Sequence, residues 1–278
     1  MRILISNDDG VSAKGIAALA KEFRKLGKVV VIAPERERST TGHALTLHKP
    51  LRLYRHGRDI YAVSGGPADC IYLGINELFA GKKPDLVLSG INRGANLGQD
   101  IFYSGTASAA REAAFMGIPS VAVSLSLDFH RRGREENYST AAVVARKVLE
   151  KVLPHFAGKK IRDWKTGLKA WPQGTMLNVN VPNSPLAQLK GICAATQGYR
   201  LYGTNILKRM DSRGRNYYWI GGTYQGYRPI PESDCWYVDH GYASVTPLEL
   251  DTTMNQVFHS LKEVFAIKKT SRARKRRG

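Results

Sequence analysis

Short runs of aliphatic and β-branched residues alternate with segments of helical periodicity along the first two thirds of the chain. The apolar runs at 2–6, 28–33, 86–88 and 121–123 and the Met-Leu-Asn-Val-Asn-Val segment at 176–181 predict strands. Helices are predicted between 6 and 27 and over about 67–81, 105–116 and 138–153. Uniformly apolar strands that alternate with amphipathic helices are typical of a parallel sheet covered on both faces. The sequence therefore predicts a doubly wound, mostly parallel α/β fold.

Two segments depart from this pattern. Residues 45–63 alternate between polar and apolar and predict two antiparallel strands that turn near 56–59, which is a hairpin insertion.

After Pro182 the chain becomes rich in Gly, Tyr and Trp, with strand-like pieces at 217–220 and 243–245 and a last helix over 252–266. We therefore predict a main domain over 1–185, a C-terminal extension over 186–267 and a basic, disordered tail over 268–278. The aromatic residues of the extension fit either a subunit interface or a second small core.

Composition restricts the class of protein. The hydrophobic fraction is 43% and the charged fraction 23%, and no apolar run approaches the roughly 20 residues that a membrane span needs. No room precedes the first predicted strand for an export signal. Cys70, Cys193 and Cys235 lie far apart, which argues against a disulfide framework and a thiolate metal site. These features predict a cytoplasmic protein with no membrane contact.

The formal net charge of +19 is unevenly distributed. Seven Lys and Arg residues, and no acidic residue, lie within the last eleven positions. A run of this kind is typical of a solvated tail, and it also predicts weak, non-specific contact with polyanions. The remaining positive charge fits a protein that captures an anionic substrate.

Polar side chains follow three of the predicted strands. Asp8 and Asp9 come directly after the first strand, Ser39 lies in the loop after the second, and Asn92 follows the strand at 86–88. The carboxyl ends of parallel strands meet at one edge of a sheet, so we expect these residues to lie close together. Adjacent carboxylates repel one another unless a cation lies between them, although a polar turn that caps the next helix would explain an isolated Asp pair. Oxygen donors without His or Cys favour Mg²⁺ or Mn²⁺ over zinc, so the sequence predicts a divalent metal site.

A second group of residues suggests a binding site for phosphate. Ser104, Gly105 and Thr106 open the predicted helix at 105–116, where free backbone amides and the positive end of the helix dipole attract anions. Asn96 precedes them in the same predicted loop, and His43 follows the loop that carries Ser39. We predict that these five residues bind the phosphate or the rest of the substrate.

At these positions the chain resembles a known family, the SurE (survival protein E) nucleotidases. The blocks that carry the resemblance are residues 7–10, 33–39, 67–70, 89–98 and 103–106, followed later by 177–182 and 241–248. So many ordered blocks over some 250 residues make the resemblance specific. The chain departs from the family pattern at Gly66, where many members carry Thr, and in its basic tail.

The resemblance implies a Rossmann-like N-terminal domain and a C-terminal region that is exchanged between subunits of a homodimer or homotetramer. It implies a metal-dependent phosphomonoesterase that acts on nucleoside 5′-monophosphates and 3′-monophosphates. The family's metal ligands fall on Asp8, Asp9, Ser39 and Asn92, and one divalent ion per subunit is expected. Asp8 and Asp9 are then the catalytic residues, either as a platform for the metal or with Asp8 as a nucleophile that forms an aspartyl phosphate.

Two other classes of protein fit the sequence less well. A dinucleotide-dependent dehydrogenase would carry G-x-G-x-x-G after the first strand, and residues 6–15 lack it. A nucleic-acid-binding protein without turnover would explain the net charge and the interleaved Tyr and Arg residues over 199–227, but no known binding module is visible. Steep salt dependence of RNA binding without turnover would identify such a binder.

Overall fold

A nine-stranded sheet forms the centre of the molecule. The computed structural model describes residues 1–127 and 135–265. The strands are β1 (Arg2–Ser6), β2 (Lys28–Pro34), β3 (Leu53–Gly57), β4 (Ile60–Val63), β5 (Leu86–Arg93), β6 (Ser120–Ser126), β7 (Thr175–Pro182), β8 (Ile192–Ala194), β9 (Arg200–Tyr202), β10 (Ile206–Met210), β11 (Asn216–Ile220), β12 (Tyr224–Tyr227) and β13 (Ala243–Glu249). The α-helices are α1 (Lys14–Phe23), α2 (Pro67–Leu73), α3 (Gly105–Phe115), α4 (Tyr138–Phe156), α5 (Trp164–Lys169), α6 (Asp234–Asp239) and α7 (Asn255–Val264).

The strand order in the sheet is β3-β4-β2-β1-β5-β6-β7-β13-β8. The pairs from β4 through β2, β1, β5 and β6 to β7 are all parallel, whereas β3 pairs antiparallel with β4 and β13 pairs antiparallel with β7. The chain builds outward from β1 through β2 to β4 and then returns to the other side of β1 with β5. The direction of winding therefore reverses between β1 and β5, and the crevice beyond the carboxyl ends of these two strands is where such sheets bind ligands.

Helices cover both faces of the sheet, which explains why its central strands are mostly apolar. Ile3 and Ile5 of β1 lie in one core with residues of α1 and α4, while Leu4 between them lies in a second core with residues of α2 and α3. All three side chains are fully buried. Successive side chains of a strand point to opposite faces, so a sheet covered on both faces needs apolar residues on both. The parallel strand order and the helices on the two faces confirm the predicted doubly wound α/β class.

Two predicted elements differ from the structure. The strand expected from residue 45 begins only at Leu53, and the predicted antiparallel hairpin is β3 and β4, which extend the edge of the main sheet. Residues 45–52 instead belong to a loop that polar contacts hold, including the Thr46 backbone N–H, which donates to Asp69 Oδ1 at 2.7 Å. The helix expected over 67–81 ends as an α-helix at Leu73 and continues as a π-helical turn at Gly74–Leu78. A Cβ at Gly74 would lie only 2.9 Å from the Leu4 side chain, so the chain approaches the sheet very closely there.

The segment after β7 contributes both to the sheet and to its surroundings. β13 lies within the central sheet between β7 and β8, and α6 precedes it. Two small two-stranded sheets, β9 with β12 and β10 with β11, lie outside the main sheet. Many of the large apolar side chains of β10, β11 and α7 are exposed, including Ile220 at 94% and Val264 at 73%. The predicted tail at 268–278 lies outside the described residues.

Among residues 1–127 and 135–265, no helix combines the length and the hydropathy that crossing a bilayer requires.

Candidate active site

A tight turn after β1 presents the two aspartates at the switch point of the sheet. The buried Asn7 side chain closes this turn: its Nδ2 donates to the Gly10 carbonyl at 2.9 Å, and its Oδ1 accepts from the Gly10 N–H at 3.2 Å. Gly10 has φ 99°, and a Cβ there would lie 3.2 Å from the backbone of Arg36. The turn therefore requires glycine and keeps the β1 loop in contact with the loop after β2.

Asp8 is the more deeply buried of the two carboxylates, with 4% of its surface exposed. The Thr106 hydroxyl donates to its Oδ1, and the Arg38 backbone N–H donates to its carbonyl oxygen at 2.8 Å. Burial raises the pKa of Asp8, and this effect exceeds the opposing effect of the Thr106 hydrogen bond. Asp8 thus connects β1 with the loop after β2 and with the start of α3.

Asp9 lies beside Asp8 and faces the end of β5. Its Oδ2 accepts from the Arg93 backbone N–H at 3.0 Å. Burial, followed by the negative charge of Asp8, raises the pKa of Asp9 to about 6. Each carboxylate makes the charge of the other less favourable, so the pair is electrostatically suited to a cation.

Of the neutral residues predicted as metal ligands, Ser39 lies in the loop after β2 and Asn92 lies at the carboxyl end of β5. Ser39 Oγ donates to Glu37 Oε1 at 2.6 Å, and Asn92 Nδ2 donates to the Gly94 carbonyl at 2.9 Å. The second contact uses the nitrogen of the Asn92 amide and leaves its oxygen available as a ligand. Among residues 1–127 and 135–265, no group of three or more His, Cys, Asp and Glu side chains could hold a metal ion. A metal at this edge would therefore combine two carboxylates with neutral oxygen donors, which fits a hard divalent cation.

The amino end of α3 packs directly against Asp8. Ser104 caps the helix, because its Oγ accepts from the Ala107 N–H at 3.0 Å. A Cβ added to Gly105 would lie 2.7 Å from Asp8 Cβ, and Thr106 is fully buried. The first amides of a helix have no partner inside the helix, and they carry the positive end of its dipole. The site thus combines carboxylates with an anion-attracting helix terminus.

We expect Thr106→Val to lower turnover and to raise the metal concentration needed for half-maximal activity. Valine keeps the shape of threonine but leaves Asp8 Oδ1 without its donor, and a hydrogen bond to a charged group contributes about 1.5–3 kcal/mol, which corresponds to roughly 10- to 100-fold. Kinetics over a Mn²⁺ titration measure both effects, and Thr106→Ser, which keeps the hydroxyl, is the matched control. A loss of turnover with unchanged metal dependence would show that this hydroxyl serves the phosphate and not Asp8.

The contacts of the other two predicted substrate residues, Asn96 and His43, are with residues other than the aspartates. The Asn96 side chain is buried, and its Nδ2 donates to Ser124 Oγ at 2.8 Å. His43 Nε2 lies 2.8 Å from Glu112 Oε2, and its ring stacks on Phe115 with centroids 5.4 Å apart. His43 therefore anchors the loop after β2 to a later turn of α3. Substrate contacts by Asn96 and His43 stay predictions.

Several charged residues near the aspartates were not predicted. Glu37 accepts from Ser39, and its charge contributes to the raised pKa of both Asp8 and Asp9. Arg93 contacts Asp9 through its backbone, and its Nε donates to Glu136 Oε1 at 2.6 Å. Glu37 lies between two arginines in an exposed loop, so its local sequence resembles an ordinary solvated segment. Only the folding of that loop against Asp8 reveals its proximity.

A doubly wound sheet with an acidic pair at its switch point and a helix terminus beside it defines the class of Rossmann-like proteins, in which this edge of the sheet is the usual place for a ligand. The model of the family described as Survival protein SurE matches residues 3–204. The chain belongs to the SurE family, which confirms the resemblance seen in the sequence.

Two relatives and a solved structure illustrate this similarity. The chain is 50% identical over 253 residues to 5′-nucleotidase SurE of Geobacter sulfurreducens, an alignment that covers 91% of this chain and 89% of that protein. It is 49% identical over 253 residues to 5′-nucleotidase SurE of Geotalea daltonii, covering 91% and 94% respectively. The crystal structure of the SurE protein from Aquifex aeolicus superposes with a TM-score of 0.78 at 41% identity, covering 95% of this chain and 99% of that chain.

Proposed function

We propose that this protein hydrolyses nucleoside 5′-monophosphates to nucleoside and phosphate at the Asp8 and Asp9 site, with the help of a divalent metal ion. The observation that carries the proposal is the contact between Asp8 and Thr106, which joins the acidic pair to the amino end of α3. A phosphate monoester needs both elements, because its own negative charge repels an attacking nucleophile and must be balanced. The relatives named 5′-nucleotidase, similar over nine tenths of this chain, support the choice of substrate.

We propose one divalent ion per subunit, Mg²⁺ or Mn²⁺, held by Asp8, Asp9, Ser39 and Asn92. When bound, such an ion polarises the phosphoryl group and makes water more acidic. The two carboxylates supply the charge that retains the ion, while the neutral ligands leave its positive charge partly uncompensated. Thr106 and the Arg93 backbone N–H orient the carboxylates by binding one oxygen of each.

The residues at the start of α3 would receive the phosphate. Ser104 already fixes the first turn by accepting from Ala107, so the amides that have no partner inside the helix point in a defined direction. Gly105 has no side chain between the helix and Asp8, which allows phosphate and carboxylate to approach the same point. We extend the proposal to binding roles for Asn96 and His43 and to activity on 3′-monophosphates, as the family resemblance implies.

We further propose a homodimer or homotetramer that forms through the C-terminal extension at 186–267. Its support is the exposure of many large apolar side chains on the paired strands β10 and β11 and on α7, since exposed apolar side chains in such number are typical of an interface. The division into a catalytic domain at 1–185, this extension and a basic tail that contacts polyanions weakly is part of the same proposal, as is the cytoplasmic location.

We expect the purified protein to release phosphate from a nucleoside 5′-monophosphate, and to lose this activity reversibly in excess chelator. The physical reason is that the acidic pair by itself repels a phosphate dianion and attracts it only through a cation. Phosphate release from the nucleotide is compared with release from glucose phosphate at matched Mn²⁺ concentration. Equal rates on both substrates would contradict nucleotide specificity, and full activity in chelator would contradict the metal. Salt-sensitive RNA binding without any turnover would favour the nucleic-acid-binding alternative.

A further inference from the structure

The loop at 94–98 lies between the proposed metal ligand Asn92 and the proposed phosphate site at the start of α3. The residues of the loop leave the sheet, so regular strand pairing no longer supports the backbone. At its beginning, the Gly94 N–H still donates to the Leu125 carbonyl of β6 at 3.0 Å. At its end, the loop enters a 3₁₀ turn at Gly98–Phe102 that leads directly to Ser104. Whatever fixes this loop therefore also fixes the approach to α3.

Two asparagines of β7 hold the middle of the loop. Asn180 contacts both sides of the Asn96 residue: its Oδ1 accepts from the Asn96 N–H at 2.8 Å, and its Nδ2 donates to the Asn96 carbonyl at 2.9 Å. Asn178 Nδ2 donates to the same carbonyl at 2.8 Å. Both asparagine side chains are fully buried. Together they give Asn96 the contacts that a neighbouring strand would otherwise supply.

Burial makes these contacts consequential. A buried amide that loses its hydrogen bonds has no water to replace them. The contacts of Asn178 and Asn180 with the Asn96 backbone, here called the clamp, therefore specify one position for the loop. The far end of the loop is held in a similar way by Asp234, whose Oδ2 accepts from the Gly98 N–H at 2.9 Å and whose Oδ1 accepts from the Gly198 N–H at 2.8 Å. Asp234 is also fully buried. The loop is thus supported by side chains from distant parts of the chain on both sides.

We propose that Asn178 and Asn180 are positioning residues of the active site, and that they act by holding the backbone N–H and carbonyl of Asn96 so that the loop delivers Asn96 and the start of α3 to the substrate. This inference rests on the proposed nucleotidase function. It assigns a purpose to the Asn-Val-Asn segment of β7, which has no place in the metal site. The metal ligands lie outside the clamp, because Gly94, which orients Asn92, is fixed independently by β6.

The proposal predicts a graded effect of two alanine variants. Asn180→Ala removes two hydrogen bonds to Asn96 and should lower kcat/KM by roughly 10- to 50-fold, whereas Asn178→Ala leaves the Asn180 clamp intact and should lower it by about fivefold or less. The Mn²⁺ concentration for half-maximal activity should stay within about twofold in both, since each metal ligand keeps its own support. Amide hydrogen exchange should become faster in residues 94–98 of Asn180→Ala and remain unchanged in β1 and β2.

Two buried hydroxyls provide the matched controls. Ser244 and Thr246 of β13 pair in register with Asn180 and Asn178, and their hydroxyls make no hydrogen bond within the part of the chain that the structure describes. Ser244→Ala and Thr246→Val should therefore leave kcat/KM within about twofold of the wild type. If these controls lose as much activity as Asn180→Ala, the loss comes from disturbed packing between β7 and β13 and not from loss of the clamp.

Three results with the asparagine variants would contradict the clamp. Unchanged kcat/KM or unchanged exchange in residues 94–98 of Asn180→Ala would overturn the proposal, as would a larger loss in Asn178→Ala than in Asn180→Ala. If Asn180→Ala does not fold, the isosteric Asn180→Asp replaces it: it keeps an acceptor for the Asn96 N–H, loses the donor to the carbonyl, and should show the same two changes. A wild type that does not hydrolyse nucleotides would refute the proposed function, and hydrogen exchange alone would then test the clamp.

Discussion

Asp8→Asn and Asp9→Asn are each expected to reduce turnover by about 10²- to 10³-fold or more. The metal contributes several kcal/mol of charge stabilisation in reactions of this kind, and each 1.4 kcal/mol or so corresponds to a factor of ten. Asparagine keeps the shape of aspartate, and its amide can still accept a hydrogen bond from Thr106 or from the Arg93 backbone. The loss therefore reports the charge of the pair and not its geometry. Turnover of a nucleoside 5′-monophosphate at saturating Mn²⁺ is the measurement.

Asp85→Asn is the matched control for the two acidic variants. Asp85 lies at the opposite edge of the sheet, where its backbone N–H donates to the Arg2 carbonyl at 2.8 Å and its Oδ2 accepts from the Arg2 N–H at 2.6 Å. Removing its charge should change stability slightly and leave turnover unchanged. Turnover in Asp8→Asn comparable to that of Asp85→Asn would contradict the central role of the pair.

A single-turnover experiment separates the two roles that the sequence leaves open for Asp8. Reactions with substrate labelled on the phosphate are quenched in acid, and the protein is examined for label that hydroxylamine releases. We expect no stoichiometric burst, because Asp8 is buried and already accepts a hydrogen bond from Thr106 at Oδ1, which suits a ligand platform. A stoichiometric burst of labelled protein would instead assign Asp8 as a nucleophile.

Gly105→Ala is expected to lower turnover by about 10²-fold, since a displacement of about 1 Å in a catalytic group is sufficient for a loss of that size. The added Cβ would lie 2.7 Å from Asp8 Cβ, 2.8 Å from Asp8 Oδ2 and 3.0 Å from Pro67 Cγ. None of these neighbours is the end of a flexible exposed chain, because Asp8 and Pro67 are both buried. The helix must therefore move away from the aspartates, which separates the phosphate site from the metal site.

The control for this substitution is Gly66→Ala, at the amino end of α2. The nearest atom to a Cβ at Gly66 is Asp69 Oδ2 at 3.8 Å, so the methyl group fits without displacement. Turnover should stay within about twofold of the wild type, as for most substitutions that create no clash. Kinetics and thermal unfolding of both variants are compared. Wild-type turnover in Gly105→Ala would show that the close contact with Asp8 has no catalytic importance.

The main strands and the family were predictable from local sequence. Apolar runs identify β1, β2, β5 and β6 because a strand buried on both faces needs mostly apolar residues, the segment 176–181 identifies β7, and the structure confirms all five strands. The order of motifs along the chain identified the SurE family, which the family model confirms. Local pattern was misleading for residues 45–52, whose alternation resembles a strand although the contact of Thr46 with Asp69 holds them in a loop.

For the candidate site too, the sequence predicted one part and only the tertiary structure decided the other. The sequence by itself determined which residues reach the carboxyl edge of the sheet, because in a parallel sheet the loop after each strand must lie there. The positions of the strands along the chain were therefore sufficient to predict that Asp8, Asp9 and Asn92 lie together. The sequence could not determine which partners these residues meet, since Thr106 lies 98 positions from Asp8 and Asn180 lies 84 positions from Asn96. Such contacts depend on how helices and strands pack in space, and spacing along the chain encodes only neighbours within one element.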